Sequence, residues 1–135
     1  MNHLQLFHDT CFECSSLITR RYSTSFSLGI RLFHPRFRPP IYGIYGFVRF
    51  ADEIVDTFHG YPKADLLQRF REDTWRAIDE RISLNPVLHS FQQVVHQYGI
   101  EPELIEAFLH SMEMDLYMNN YKQEFYEEYI YGSAE

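Results

Sequence analysis

Apolar residues recur along this chain in the three- and four-residue steps of amphipathic helices, and no stretch joins period-two alternation to the turn chemistry of a hairpin. The pattern predicts an all-α fold. Leu4, Phe7, Cys11, Cys14, Leu17 and Ile18 mark a first helix over about residues 4–20. Residues 22–27, rich in hydroxyls that compete for backbone hydrogen bonds, read as a polar connector. Gly29, Pro35, Pro39 and Pro40 keep residues 28–40 from forming one helix. Pro40 suits a first helical turn, so a second helix is expected from there to about Phe58, ahead of Gly60 and Pro62. A third runs over residues 63–83. Asn85-Pro86 opens a fourth that closes at Gly99, and Glu101-Pro102 opens a fifth. That helix is expected to stop at the polar pair Asn119-Asn120, with a sixth beginning over residues 124–131.

With 135 residues, 45% of them apolar and 17% aromatic, the chain can bury about two-thirds of its unfolded surface in one domain, which excludes intrinsic disorder. The longest apolar stretch, residues 41–50, is interrupted by Gly43, Gly46 and Arg49, well short of the roughly 18–20 apolar residues of a membrane span. The first residues lack a basic start leading into an apolar block, so a cytoplasmic location is the expectation. Cys11 and Cys14 read as reduced thiols near one helical face. His8-x-x-Cys11-x-x-Cys14, with His3 nearby, offers zinc ligands on adjacent turns, but closed zinc sites draw on separated pairs and both cysteines already fit the apolar stripe.

A net charge of −7 counts against a nucleic-acid partner. It also hides an asymmetry. Residues 14–51 hold Arg20, Arg21, Arg31, Arg36, Arg38 and Arg49 and no carboxylate, so that segment is +6 and the remainder −13. Such a zone can attract a multiply charged anion, and it fits a solvated basic loop equally well.

At 100° per residue, Tyr45, Arg49, Asp52 and Asp56 fall within about 60° of one another on the second helix. Ile41, Ile44, Phe47, Val48, Phe50, Ala51, Ile54, Val55 and Phe58 occupy the rest of the cylinder, which marks a buried helix with one ionisable line. An Arg–Asp bridge accounts for one carboxylate and leaves the other unpaired. A hard divalent cation would satisfy both: Mg²⁺ takes one or two protein carboxylates and keeps its other positions for water and phosphate oxygens, which Arg49 would grip as well. The same spacing also arises by chance in acidic helices.

The run Ser23-Thr24-Ser25-Phe26, together with Ile41-Tyr42-Gly43-Ile44-Tyr45-Gly46-Phe47-Val48-Arg49-Phe50-Ala51-Asp52-Glu53-Ile54-Val55-Asp56, resembles the N-terminal half of the squalene/phytoene synthases. Leu28-Gly29-Ile30-Arg31-Leu32-Phe33, Met112-Glu113-Met114-Asp115-Leu116 and Tyr129-Ile130-Tyr131-Gly132-Ser133-Ala134 match too, in the expected order. The resemblance implies an isoprenoid-synthase-type all-α bundle and Mg²⁺-dependent head-to-head condensation of two prenyl diphosphates, with Mn²⁺ as the alternative ion. Geranylgeranyl diphosphate giving phytoene, in isoprenoid or carotenoid biosynthesis, is one such reaction. By the same resemblance, Asp52 and Asp56 form the first aspartate-rich motif and hold the metal. Arg49, Tyr45 and Ser25 contact diphosphate, Tyr129 stands near the reacting carbons, and Asp115 faces the cavity. Tyr22 stands where some members have histidine, and no role is carried to it. Phe26, Phe47, Tyr45 and Tyr129 are expected as aromatic walls that attract a carbocation without attacking it.

No second Asp-x-x-x-Asp occurs in the chain, although the family uses one on a later helix. Residues 1–135 are therefore expected to be the N-terminal part of a single synthase domain, inactive alone and prone to self-associate through exposed apolar faces. Loose membrane association by way of long prenyl substrates is a further expectation. The alternative is a non-catalytic assembly or scaffolding protein of the same fold, against which the retained Arg49, Asp52 and Asp56 stand.

Overall fold

The computed structural model describes residues 2–134, with side chains through residue 118. Among them are six α-helices and no strand: α1 (His3–Tyr22), α2 (Thr24–Ile30), α3 (Arg38–Asp56), α4 (Lys63–Glu80), α5 (Pro86–Tyr98) and α6 (Pro102–Ala134), with one 3-10 turn at Pro35–Phe37. Asn2 caps α1 by accepting from the Leu4 N–H, and Asn85 caps α5 by accepting from Val87 and Leu88. Gly99, at φ 65°, closes α5 in the left-handed conformation that suits glycine.

Three boundaries differ from the sequence expectation. The hydroxyl-rich connector is largely helical, because the Ser23 hydroxyl accepts from the Phe26 N–H and starts α2 instead of interrupting it. Helix α4 stops at Glu80, where Arg81 turns into the left-handed region. The expected fifth and sixth helices are one, α6. Asparagine is only a few tenths of a kcal/mol per residue worse than good helix formers, and no glycine or proline reinforces the pair at 119–120.

Helix α3 lies at the centre and touches α1, α4, α5 and α6. Its Phe47, Ala51 and Val55 join Leu67 and Phe70 of α4, Leu88, Phe91 and Val95 of α5, and Ile105, Leu109, Met112 and Leu116 of α6 in one core. Two glycines let the neighbours close in. A Cβ at Gly46 would lie 2.9 Å from Ser15 Oγ of α1, and one at Gly43 would lie 2.9 Å from Val94 Cγ2 of α5. The α1–α5 seam is polar: Ser15 and Ser90 hydroxyls meet at 2.7 Å, and His8 Nδ1 meets His89 Nε2 at 2.8 Å. Among the described residues no helix is long and apolar enough to cross a membrane.

Candidate functional site

Burying three sides of α3 leaves its remaining face as the place where the ionisable line emerges, and Tyr45, Arg49 and Asp52 are all half-buried there. Asp56, the last residue of α3, is exposed. The two aspartates sit in the closing turns of the helix, where the carbonyl ends already present partial negative charge. No basic residue lies in that last turn. The nearby Lys63 ammonium is engaged elsewhere, donating to the Val55 carbonyl at 2.7 Å and meeting His59 Nδ1 at 3.0 Å.

Arg49 is the local cation, and its closest carboxylate, Glu53, is not part of the line that the helical spacing marks out. Arg49 Nη2 donates to Glu53 Oε1 at 2.9 Å, whereas Nη1 approaches Asp52 Oδ2 only to 4.0 Å. The sequence signal for this contact is the i,i+4 spacing of Arg49 and Glu53. The Tyr22 ring, to which the resemblance assigns no role, supports the guanidinium from the end of α1, with Arg49 Cζ 5.0 Å from its centroid. Arg49 Nε is buried and, among the described residues, is the one buried side-chain nitrogen or oxygen without a hydrogen-bond partner. Such an orphan donor has room for an acceptor oxygen.

Asp52 is pushed above the ordinary carboxylate range. Burial is the main cause; Arg49 opposes it, and the carboxylates of Asp56, Asp115 and Glu53 add to it. Asp115, exposed on α6, is thus close enough to act on the same charge. This surplus of negative charge fits a divalent cation. Among the described residues no three His, Cys, Asp or Glu side chains converge in a group that could hold a metal ion.

The aromatic residues divide. Phe26 of α2 stacks on Tyr45 with ring centroids 5.0 Å apart, beside the line, and Phe26 is exposed. Ser25, its neighbour, is exposed as well. Phe47 is not a wall of this face: it is 2% exposed and stacks on Phe91 at 3.9 Å and Phe70 at 5.3 Å in the core. Its place about 200° around the helix from Tyr45 is the reason. Tyr129 lies outside the residues whose side chains are described. His8 Nδ1 is engaged by His89 and Gln93. Cys11 is buried, and burial with Cys14 beside it pushes its thiol up to about 11, away from the thiolate a metal needs.

A family model described as squalene/phytoene synthase matches residues 19–135 of the chain. No match is found among curated proteins.

Proposed function

The chain belongs to the squalene/phytoene synthase family, and on that premise we propose that the exposed face of α3 is the half of a head-to-head prenyl synthase site that holds one prenyl diphosphate. The observation that carries this reading is the orphaned, buried Arg49 Nε beside an excess of carboxylates. A metal-bound diphosphate satisfies both at once, offering oxygens to the guanidinium while its cation offsets Asp52 and Asp56. Mg²⁺, held by those two aspartates, supplies Lewis-acid charge to the departing diphosphate when it is bound.

The residues present divide the remaining work. Glu53 and the Tyr22 ring hold the guanidinium of Arg49, so it does not have to be ordered during reaction. Tyr45 and Phe26 present stacked faces to the allylic chain as the C–O bond breaks, and an aromatic face attracts a carbocation without offering a lone pair. Asp115 adds negative potential from α6. The second diphosphate requires ligands that no other Asp-x-x-x-Asp in these 135 residues provides. The chain by itself therefore binds one substrate and does not turn it over, and the full reaction belongs to a protein that supplies the second motif.

Calorimetric titration with a non-ionisable thio-analogue of a prenyl diphosphate tests this. Saturable heat is expected only with Mg²⁺, and it is lost in Asp52→Asn/Asp56→Asn. Binding that is indifferent to the metal and to both aspartates, or no binding at all, overturns the reading.

A further inference from the structure

The closing turn of α3 carries Asp56, and its backbone ends without a glycine cap. Thr57 stays in the right-handed helical region, at φ −116° and ψ −34°, instead of turning left-handed as Gly99 does at the end of α5. The last carbonyls of a helix have no partner within it and must find donors elsewhere. Glu53 takes two from the residues that follow, the Thr57 N–H at 2.9 Å and the Phe58 N–H at 3.3 Å. Val55 takes one from another helix, the Lys63 ammonium at 2.7 Å.

Lys63 is the first residue of α4. Residues 57–62 fold back on themselves, with the Tyr61 N–H on the Phe58 carbonyl at 3.2 Å and the Lys63 N–H on the Tyr61 carbonyl at 2.8 Å, so the side chain returns to the turn the chain has just left. An ammonium has donors only, so His59 Nδ1, 3.0 Å from Nζ, accepts from it and fixes its direction. The Val55 side chain is 2% exposed and packs in the core. Val55 is thus anchored through its side chain and, by the half-buried Lys63, through its carbonyl. Asp56, the next residue, is exposed, so its carboxylate is placed by the backbone of this turn rather than by packing.

We propose, on the diphosphate reading of this face, that Lys63 is a positioning residue for Asp56: by holding the Val55 carbonyl it keeps the closing turn of α3 wound, with Asp56 one turn beyond Asp52. Helix ends fray, and unwinding this turn would take the two aspartates off a common face. The ammonium also brings positive charge to a helix end whose last turn has no basic residue. These two effects act on metal binding in opposite directions. A wound turn strengthens it, whereas a nearby positive charge weakens it. Removing Lys63 therefore separates them by sign.

Lys63→Met, which keeps an alkyl chain but neither donor nor charge, and Lys63→Arg, which keeps both, are compared with the wild-type chain. Amide hydrogen exchange followed by NMR reads the turn itself. The Thr57 and Phe58 amides should exchange about tenfold faster in Lys63→Met and return toward wild type in Lys63→Arg. Calorimetric titration with the thio-analogue at a series of Mg²⁺ concentrations reads the site. The Mg²⁺ needed for half-saturation should rise about tenfold in Lys63→Met and recover in Lys63→Arg, with native helicity by circular dichroism in both. A lower Mg²⁺ requirement in Lys63→Met means that the ammonium acts as charge alone and overturns the proposal. Faster exchange with an unchanged Mg²⁺ requirement makes Lys63 a structural cap only, and unchanged exchange denies even that; either overturns it. A wild-type chain that fails to bind the analogue overturns the diphosphate reading and this proposal with it, a result distinct from wild-type binding that Lys63→Met leaves intact.

Discussion

Asp52 is penalised by burial more than its nearest cation can offset, since Arg49 gives its short contact to Glu53 and stands 4.0 Å from Asp52. The direction of the shift sets the sign of its effect on stability. A carboxyl group whose pKa is higher in the folded than in the unfolded state binds its proton more tightly when folded, so its ionised form destabilises the fold at neutral pH. The penalty is relieved as pH falls through the raised value. Asp52→Asn should therefore raise the Tm in metal-free buffer at pH 7, with the gain shrinking toward acid. Thermal melts monitored by circular dichroism at several pH values check this, and an unchanged or lowered Tm at pH 7 contradicts it. The same variant should lose the proposed Mg²⁺-dependent ligand binding in the calorimetric titration, which would separate a functional carboxylate from a structural one.

Helix α3 combines two demands that pull its sequence in different directions. It must be apolar toward four neighbours and ionisable along one line, and it must also let α1 and α5 approach its backbone. Gly43 and Gly46 meet the last demand. Alanine at 46 gains up to about 1 kcal/mol of helix propensity, but its Cβ would meet Ser15 Oγ at 2.9 Å and Ser15 Cβ at 3.2 Å. Ser15 cannot yield easily, being fully buried and bonded to Ser90 at 2.7 Å. Overpacking of this kind costs about 1–3 kcal/mol, so Gly46→Ala should lower stability in urea melts. Adding Ser15→Ala, which removes the closest atom, should restore part of the loss. Two glycines three residues apart within a helix are the sequence signal for this close approach, and their partners on α1 and α5 are not readable from it.

A buried histidine at the α1–α5 seam makes the fold as a whole sensitive to acid. His89 is fully buried, accepts from the Ser83 N–H at Nδ1 and faces His8 through Nε2. A second proton at Nδ1 would set one N–H against another. Burial, with His8 adding to it, lowers its pKa to about 4. Because the folded value lies below the unfolded one, the stability contributed by neutral His89 is complete above about pH 6.5 and is lost as pH falls toward 4, up to about 3 kcal/mol. The Tm should drop between pH 7 and pH 5, and His89→Gln, which keeps polar atoms but cannot titrate, should flatten that part of the curve. The all-α class, most helix ends and the Tyr45, Arg49, Asp52, Asp56 line were legible in the sequence, because helical period, proline and asparagine caps and i,i+4 spacing are local properties of the chain. Local properties did not show that Ser23 starts α2, since a hydroxyl can either cap a helix or interrupt one, depending on how the next residues pack. They placed Phe47 on the face opposite Tyr45 without showing that Phe91 and Phe70 would enclose it. The choice of Glu53 over Asp52 as the partner of Arg49, the orphaned Nε, and the joining of Phe33 and Phe37 to residues of α3 and α5 in one apolar groove were decided only by tertiary structure. Burial and distance between residues far apart in sequence exist only once the helices have packed.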